Sequence, residues 1–215
     1  MNGCWLGNPS MNATQDWPLR LARPSDVPAL EALIPRSVHA LLAGYYSAEQ
    51  RAAALGPVFG VDRQLILDGT YFVAEHEGRI VGGGGWSRRR SLFGGSPGQR
   101  EGDDLLDPRR DAARIRAFFV DPAFARRGIG RSLLRAGEEA IHCAGFATVD
   151  LVATLAGEPL YAALGFAVVE RYEVELAGGL RLPVVRMTKS LRPRAVAGAL
   201  QLPNGLTPRR EDAKG

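Results

Sequence analysis

The chain has 215 residues, 46% of them hydrophobic, which is enough for one well-buried core and sets the expectation of a single domain. Its charge is mildly basic, +4 with a pI near 9.4, and much of the excess lies in arginine clusters at 88–90, 109–110, 126–127 and 209–210. These arginines are not interleaved with aromatics, the two cysteines (Cys4, Cys143) make no disulfide framework, and the three scattered histidines make no metal constellation. Nucleic acid and metal are therefore not expected partners; nor is a membrane, since the N-terminus lacks a signal-like pattern and no apolar run reaches the roughly 18 residues of a span. The expected compartment is the cytoplasm.

Residues 1–17 have no periodicity and read as a disordered leader, within which Met11 is an alternative start. A single domain is expected over 18–191, followed by a disordered tail at 192–215, rich in Pro, Arg and Gly. Leu19 to Arg23 alternates as a first strand. Pro24-Ser25-Asp26 then opens a helix that turns Val27, Leu30, Leu33 and Ile34 inward, and Pro35 is expected to end or kink it. A second helical piece carries Val38, Leu41 and Leu42, and Ser47 with Gln50 makes a capping box for a third, through about Leu55.

Residues 70–75 read as a strand, with Glu77-Gly78 as the hairpin turn into a partner strand from Arg79. Four consecutive glycines, Gly82 to Gly85, lie inside that partner. Either a bulge or the close approach of another group accounts for them. Residues 94–111 are polar and aperiodic and read as a mobile loop near the site.

Arg114 to Val120 is an aromatic and β-branched strand stopped by Asp121-Pro122. The short basic turn that follows, Ala123 to Arg127, leads into Gly128-Ile129-Gly130-Arg131 and an amphipathic helix through Leu133, Ala136, Ala140 and Ala144. Such a turn gathers backbone N–H groups, arginines and the positive end of a helix dipole at one place, which suits phosphate or pyrophosphate. There is no Gly-Lys-Ser/Thr, and Leu133 stands where a dinucleotide fingerprint needs its third glycine. Beyond the helix come a strand over 147–153, a short helical stretch over 158–166, and two strands, Tyr172 to Leu176 and Leu180 to Lys189, joined at Gly178-Gly179.

Two segments carry a family resemblance. The 126–131 turn resembles the acyl-CoA-binding core of the GNAT superfamily of N-acetyltransferases, whose signature is Arg/Gln-x-x-Gly-x-Gly/Ala. The stretch Tyr161-Ala162-Ala163-Leu164-Gly165-Phe166 resembles that family's Tyr-x-x-x-Gly-Phe. Together these cover roughly residues 112 to 190. Ala125 departs from the pattern at the first Arg/Gln position, so the arginine contact falls to Arg126, Arg127 or Arg131. The resemblance implies an α/β fold: a mixed, mostly antiparallel central sheet splayed between strands 4 and 5, with helices on both faces. The implied co-substrate is acetyl-CoA, with no metal. The acceptor is a small-molecule amine or a peptide, attacked directly in a ternary complex. Many relatives are dimers, so the resemblance leaves a homodimer open.

On this resemblance the backbone amides of Arg126, Arg127, Gly128, Ile129, Gly130 and Arg131 cradle the pyrophosphate. The backbone of Phe118 and Val120 holds the pantetheine, and the Val120 N–H is the donor to the thioester oxygen. Tyr161 matches the phenol beside the sulfur that acts as general acid. A bland packing role on Leu164 and Phe166 is its alternative. Tyr45 and Tyr46 are candidate acceptor contacts. No residue is an obvious general base: Glu75 is the substitute, or water relays the proton, and the family's frequent asparagine after strand 5 is replaced by Thr154 nearby. Arg114 and Arg116, two apart on one strand face, either read an acidic group on the acceptor or pair with Asp103, Asp104 or Asp111. A non-catalytic acyl-CoA-binding sensor on the same fold is the alternative function.

Overall fold

The computed structural model describes residues 17–90 and 104–191; the readings of the leader, the tail, Met11, Cys4, Asp103 and the loop through 103 lie outside the described residues. Seven strands form one sheet in the order β1-β2-β3-β4-β5-β7-β6. They are β1 Leu19–Leu21, β2 Tyr71–His76, β3 Arg79–Ser87, β4 Ala113–Val120, β5 Thr148–Thr154, β6 Ala167–Glu175 and β7 Arg181–Ser190. Every neighbouring pair is antiparallel except β4 with β5, which is parallel. The β2–β3 hairpin closes on Glu77 and Gly78, both at positive φ (50 and 73°), as a two-residue primed turn requires.

The helices are α1 Val27–Leu41, α2 Ala48–Ala54, α3 Arg63–Leu67, α4 Ile129–Cys143 and α5 Glu158–Ala163. Strand alternation sorts the core into two sides. Phe72, Ala74 and Ile115 meet Ile129, Leu133 and Ile141 of α4 on one face. Tyr71 and Val73 meet Leu30, Leu33 and Leu65 of α1 and α3 on the other.

Three sequence readings are corrected. Pro35 does not end its helix: α1 runs unbroken from Val27 to Leu41. The proline forfeits one backbone hydrogen bond, but Ile34 before it and Val38 after it are both buried in the same cluster, and that burial carries the helix through. Trp17 belongs to the folded domain rather than to the leader. Its backbone N–H donates to Ser132 Oγ (3.3 Å) and its indole N–H to the Arg127 carbonyl (2.7 Å). The described part of the long loop is also ordered: Leu106 is buried, and its N–H donates to the Arg88 carbonyl at 2.8 Å.

The four glycines turn out to serve a bulge and close packing together. Gly83 pairs with Phe119 and Gly85 with Arg116, so Gly84 alone faces both Ala117 and Phe118. The extra residue sits on β4, where Ala117 adopts φ 60°. A Cβ on Gly84 would overlap the Phe118 ring, one on Gly82 would lie 2.6 Å from an Ile129 methyl, and one on Gly85 2.6 Å from the Thr70 carbonyl. Tyr71 fixes the bulge from below: its ring lies against Gly83 and its hydroxyl donates to the Ala117 carbonyl at 3.0 Å.

Candidate functional site

The bulge determines where β4 and β5 part. They pair only at Ala113–Val149, Arg114–Asp150 and Ile115–Leu151, and diverge beyond Ile115. The opening is a cavity of about 240 Å³, lined by Phe118 and Val120 of β4, Val152 to Thr154 of β5, Gly130 of α4, Leu160 and Tyr161 of α5, and Ser37, Val38, Leu41 and Leu42 on the α1 side. Asp121 N–H donates to the Val81 carbonyl (2.8 Å), so the antiparallel alternation turns the preceding Val120 N–H away from β3 and toward the opening. There it donates to Ser37 Oγ at 3.3 Å. Ser37 is a site residue that sequence reasoning missed.

At the end of β4, Asp121 accepts the Ala123 N–H (3.0 Å) and starts the basic turn. Arg126 at φ 64° and Gly128 at φ 89° then curl the chain into α4. Gly128 caps α4 with no side chain bonded over its first turn, so Ile129, Gly130 and Arg131 begin the helix with outward N–H groups, and Arg126, Arg127 and Arg131 are solvent-exposed around them. A Cβ on Gly130 would already lie 3.0 Å from Leu160, which brings the turn hard against α5. Trp17, through its bond to the Arg127 carbonyl and edge contact with Phe124, braces the turn from outside.

Replacing Trp17 by Phe removes one hydrogen bond while keeping an aromatic ring. The expected result is a three- to tenfold weaker affinity for acetyl-CoA and no change for acetyl-pantetheine, which lacks the pyrophosphate. Calorimetric titration of both thioesters checks it; equal losses would mean the brace acts elsewhere.

Tyr161 is buried, its ring set edge-on to Phe118 (6.5 Å between centroids) and Phe166 (5.8 Å). Burial pushes its phenol well above the usual tyrosine range, so the group is protonated at neutral pH. Thr154 lines the same cavity, but its hydroxyl is committed to the Gly157 N–H at 3.1 Å.

The remaining predicted contacts sit elsewhere. Tyr46 is a buried strut: it donates to the Pro183 carbonyl and accepts the Leu155 N–H, each at 2.8 Å, and does not line the cavity. Tyr45 is exposed and likewise outside the lining. Glu75 is bound to Arg20 (2.6 Å), whose hydrogen bond holds it below the usual carboxylate range, and it too stands apart from the cavity. Arg114 bonds Asp150 at 2.6 Å, which also accepts from Arg186 and Thr188. Arg116 reaches the cavity wall but lies 2.7 Å from Asp62, which is fully buried and caps α3. Burial pushes the Asp62 carboxyl up, and the Arg116 charge pulls it partly back. Arg114 and Arg116 are thus paired with Asp150 and Asp62, while the expected partner Asp103 lies outside the described residues. The lining contains no Asp, Glu or His among the described residues.

Among the described residues no helix is long and apolar enough to cross a membrane, and no group of three or more His, Cys, Asp or Glu could hold a metal. Cys143 is exposed.

Residues 67–168 match the family model described as an acetyltransferase (GNAT) domain. The fold matches a GCN5-related N-acetyltransferase from Rhodopseudomonas palustris at 23% identity and TM-score 0.62, over 84% of this chain and 99% of that one. It also matches the PaiA N-acetyltransferase of Thermoplasma acidophilum in complex with coenzyme A (15% identity, TM-score 0.55, 81% and 98% covered). YncA of Salmonella typhimurium with its cofactor acetyl-CoA is a third (20% identity, TM-score 0.54, 85% and 98% covered). No curated protein matches the sequence. The bulged β4, the parted β4–β5 pair and the matched model agree: the fold is GNAT-like, and residues 67–168 carry the acetyltransferase (GNAT) domain.

Proposed function

We propose that this protein transfers the acetyl group of acetyl-CoA to the primary amine of an acceptor with an apolar body, by direct attack within a ternary complex. One observation carries the reading: the parted β4–β5 opening holds the Val120 N–H, the Gly130 end of the basic turn and the Tyr161 ring in the wall of a single cavity. The turn amides and arginines hold the pyrophosphate, the opening holds the pantetheine, and the Val120 N–H polarises the thioester carbonyl. Tyr161 donates a hydrogen bond from its phenol to the departing sulfur.

The acceptor side narrows the substrate. Val38, Leu41, Leu42, Val58, Phe59 and Val184 give that part of the wall an apolar lining. Its charged group, Arg116, is already matched by Asp62. A polycationic amine has no carboxylate to meet among the described lining residues, whereas an alkyl or aryl amine buries well there. With no side-chain base in that lining, water takes the proton and the amine must arrive neutral.

Release of CoA with 2-phenylethylamine, spermidine and 2,2,2-trifluoroethylamine tests both points. Phenylethylamine should be turned over at least tenfold better than spermidine. The second-order rate should climb with pH along each amine's own titration, early for trifluoroethylamine and late for phenylethylamine. A preference for spermidine, or one pH profile shared by both monoamines, would overturn the reading. Tight acetyl-CoA binding with no amine turned over would favour the non-catalytic sensor instead.

A further inference from the structure

The cavity contains one hydroxyl whose position matches none of the roles assigned so far. Ser37 lies two residues beyond Pro35 on α1, is buried, and lines the cavity. Its Oγ accepts the Val120 N–H, the same amide that the proposed function gives to the thioester oxygen. Among the other polar side chains of that wall, Thr154 Oγ1 accepts the Gly157 N–H and Arg116 pairs with Asp62, while Tyr161 stands for the sulfur.

At 3.3 Å the Ser37 contact is longer than the roughly 2.9–3.0 Å typical of an N–H to oxygen bond, so it is weak and easily exchanged. A buried amide needs an acceptor, and with β5 parted from β4 the serine supplies it. A hydroxyl can do what a carbonyl in that place could not: give up the role of acceptor and donate its own proton to the newcomer.

We propose that Ser37 is a catalytic residue, the second hydrogen-bond donor to the thioester oxygen. The inference rests on the acetyl-transfer reading above. In the step it serves, the amine lone pair forms the new C–N bond and the carbonyl π pair moves to oxygen. That oxygen is held by Val120 N–H and Ser37 O–H together. The pair returns as the C–S bond breaks, its electrons leave on sulfur, and the proton shed by the attacking nitrogen goes to water. Ser37 neither gains nor loses a proton overall. It strengthens its bond as charge builds on the oxygen, which is the condition for lowering the barrier rather than merely binding substrate.

Ser37→Ala and Ser37→Thr, each titrated with [1-13C]acetyl-CoA and followed by isotope-edited infrared spectroscopy, test the assignment without needing the natural acceptor. Ser37→Ala should move the bound carbonyl band toward its position in free acetyl-CoA, and Ser37→Thr should restore it. Affinity for acetyl-CoA should change by less than about threefold. With 2-phenylethylamine, kcat should fall about 10- to 100-fold in Ser37→Ala and recover in Ser37→Thr.

A serine that only satisfies the Val120 amide predicts the reverse. Its removal would free Val120, leaving the band and kcat unchanged, and that result would overturn the proposal. Failure of folded wild type to bind acetyl-CoA at all would instead remove the acetyl-transfer reading, and the Ser37 role with it. If wild type binds but does not acetylate the amine, the infrared band alone decides.

Discussion

Replacing Tyr161 by phenylalanine is expected to lower kcat for acetyl transfer about 10²-fold, equivalent to ~2.7 kcal/mol of barrier, with acetyl-CoA affinity nearly unchanged. Phenylalanine keeps the edge contacts with Phe118 and Phe166, so the wall stays packed and only the hydroxyl is lost. The physical role of that hydroxyl follows from its burial. A phenol held above the usual range of about 10 is a weaker acid than a thiol of about 8.5, so it does not hand its proton over readily. It serves as a hydrogen-bond donor that steadies charge on the leaving sulfur. Because the shift is upward, the donor survives alkaline conditions, and the rate should show no descending limb below about pH 10. Stopped-flow release of CoA from both proteins, measured across pH, checks the magnitude and the shape. A Tyr161→Phe enzyme within threefold of wild type would reduce this residue to packing.

Asp62→Ala is expected to be the most destabilising single change in the domain, costing about 3–5 kcal/mol and on the order of 10 °C in Tm. Asp62 is wholly buried and sits 2.7 Å from the Arg116 guanidinium, itself almost without solvent access. Removing the carboxylate takes the opposite charge from beside a buried guanidinium and also takes away the acceptor of the Leu65 N–H that starts α3. The damage should spread to the site, because Arg116 directly precedes the bulge residue Ala117 on β4. The pair is not expected to be worth that much in itself: replacing both members by apolar residues, Asp62→Leu with Arg116→Met, should recover most of the loss. Thermal and urea denaturation of the three variants settles the point. Equal stability of the single and double variants would show that loss of the Asp62 charge beside Arg116 is not the cause.

What could be read from the sequence was local. The basic turn and its helix are contiguous, and the glycines and arginines that mark them lie within six residues. Tyr161 was singled out from one short stretch ending in Gly165-Phe166, and it lines the cavity. The Ser47 capping box and the Glu77-Gly78 turn formed as read, because each needs only neighbours in the chain.

The features that escaped the reading depend on partners far apart. Ser37 and Val120 are 83 residues apart, and nothing around either hints at the other. Asp62 drew no reading from the sequence: its cap on the Leu65 N–H and its pairing with Arg116 exist only in the fold. Its partner Arg116 looked free to bind an acceptor because charge on a strand face gives no sign of what lies above it. Trp17 sits at the end of an aperiodic stretch, and its role depends on Arg127 being curled back toward it. The glycine run was ambiguous for a related reason: the bulge is on the opposite strand, and the glycines are what makes room for it.

The measurement that bears most directly on the account is a calorimetric titration of folded wild-type protein with acetyl-CoA and with acetyl-pantetheine. The account predicts one site per chain with micromolar affinity for acetyl-CoA. It also predicts much weaker binding of acetyl-pantetheine, which reaches the β4–β5 opening but leaves the 126–131 turn empty. No binding of acetyl-CoA, or equal binding of the two thioesters, would contradict it.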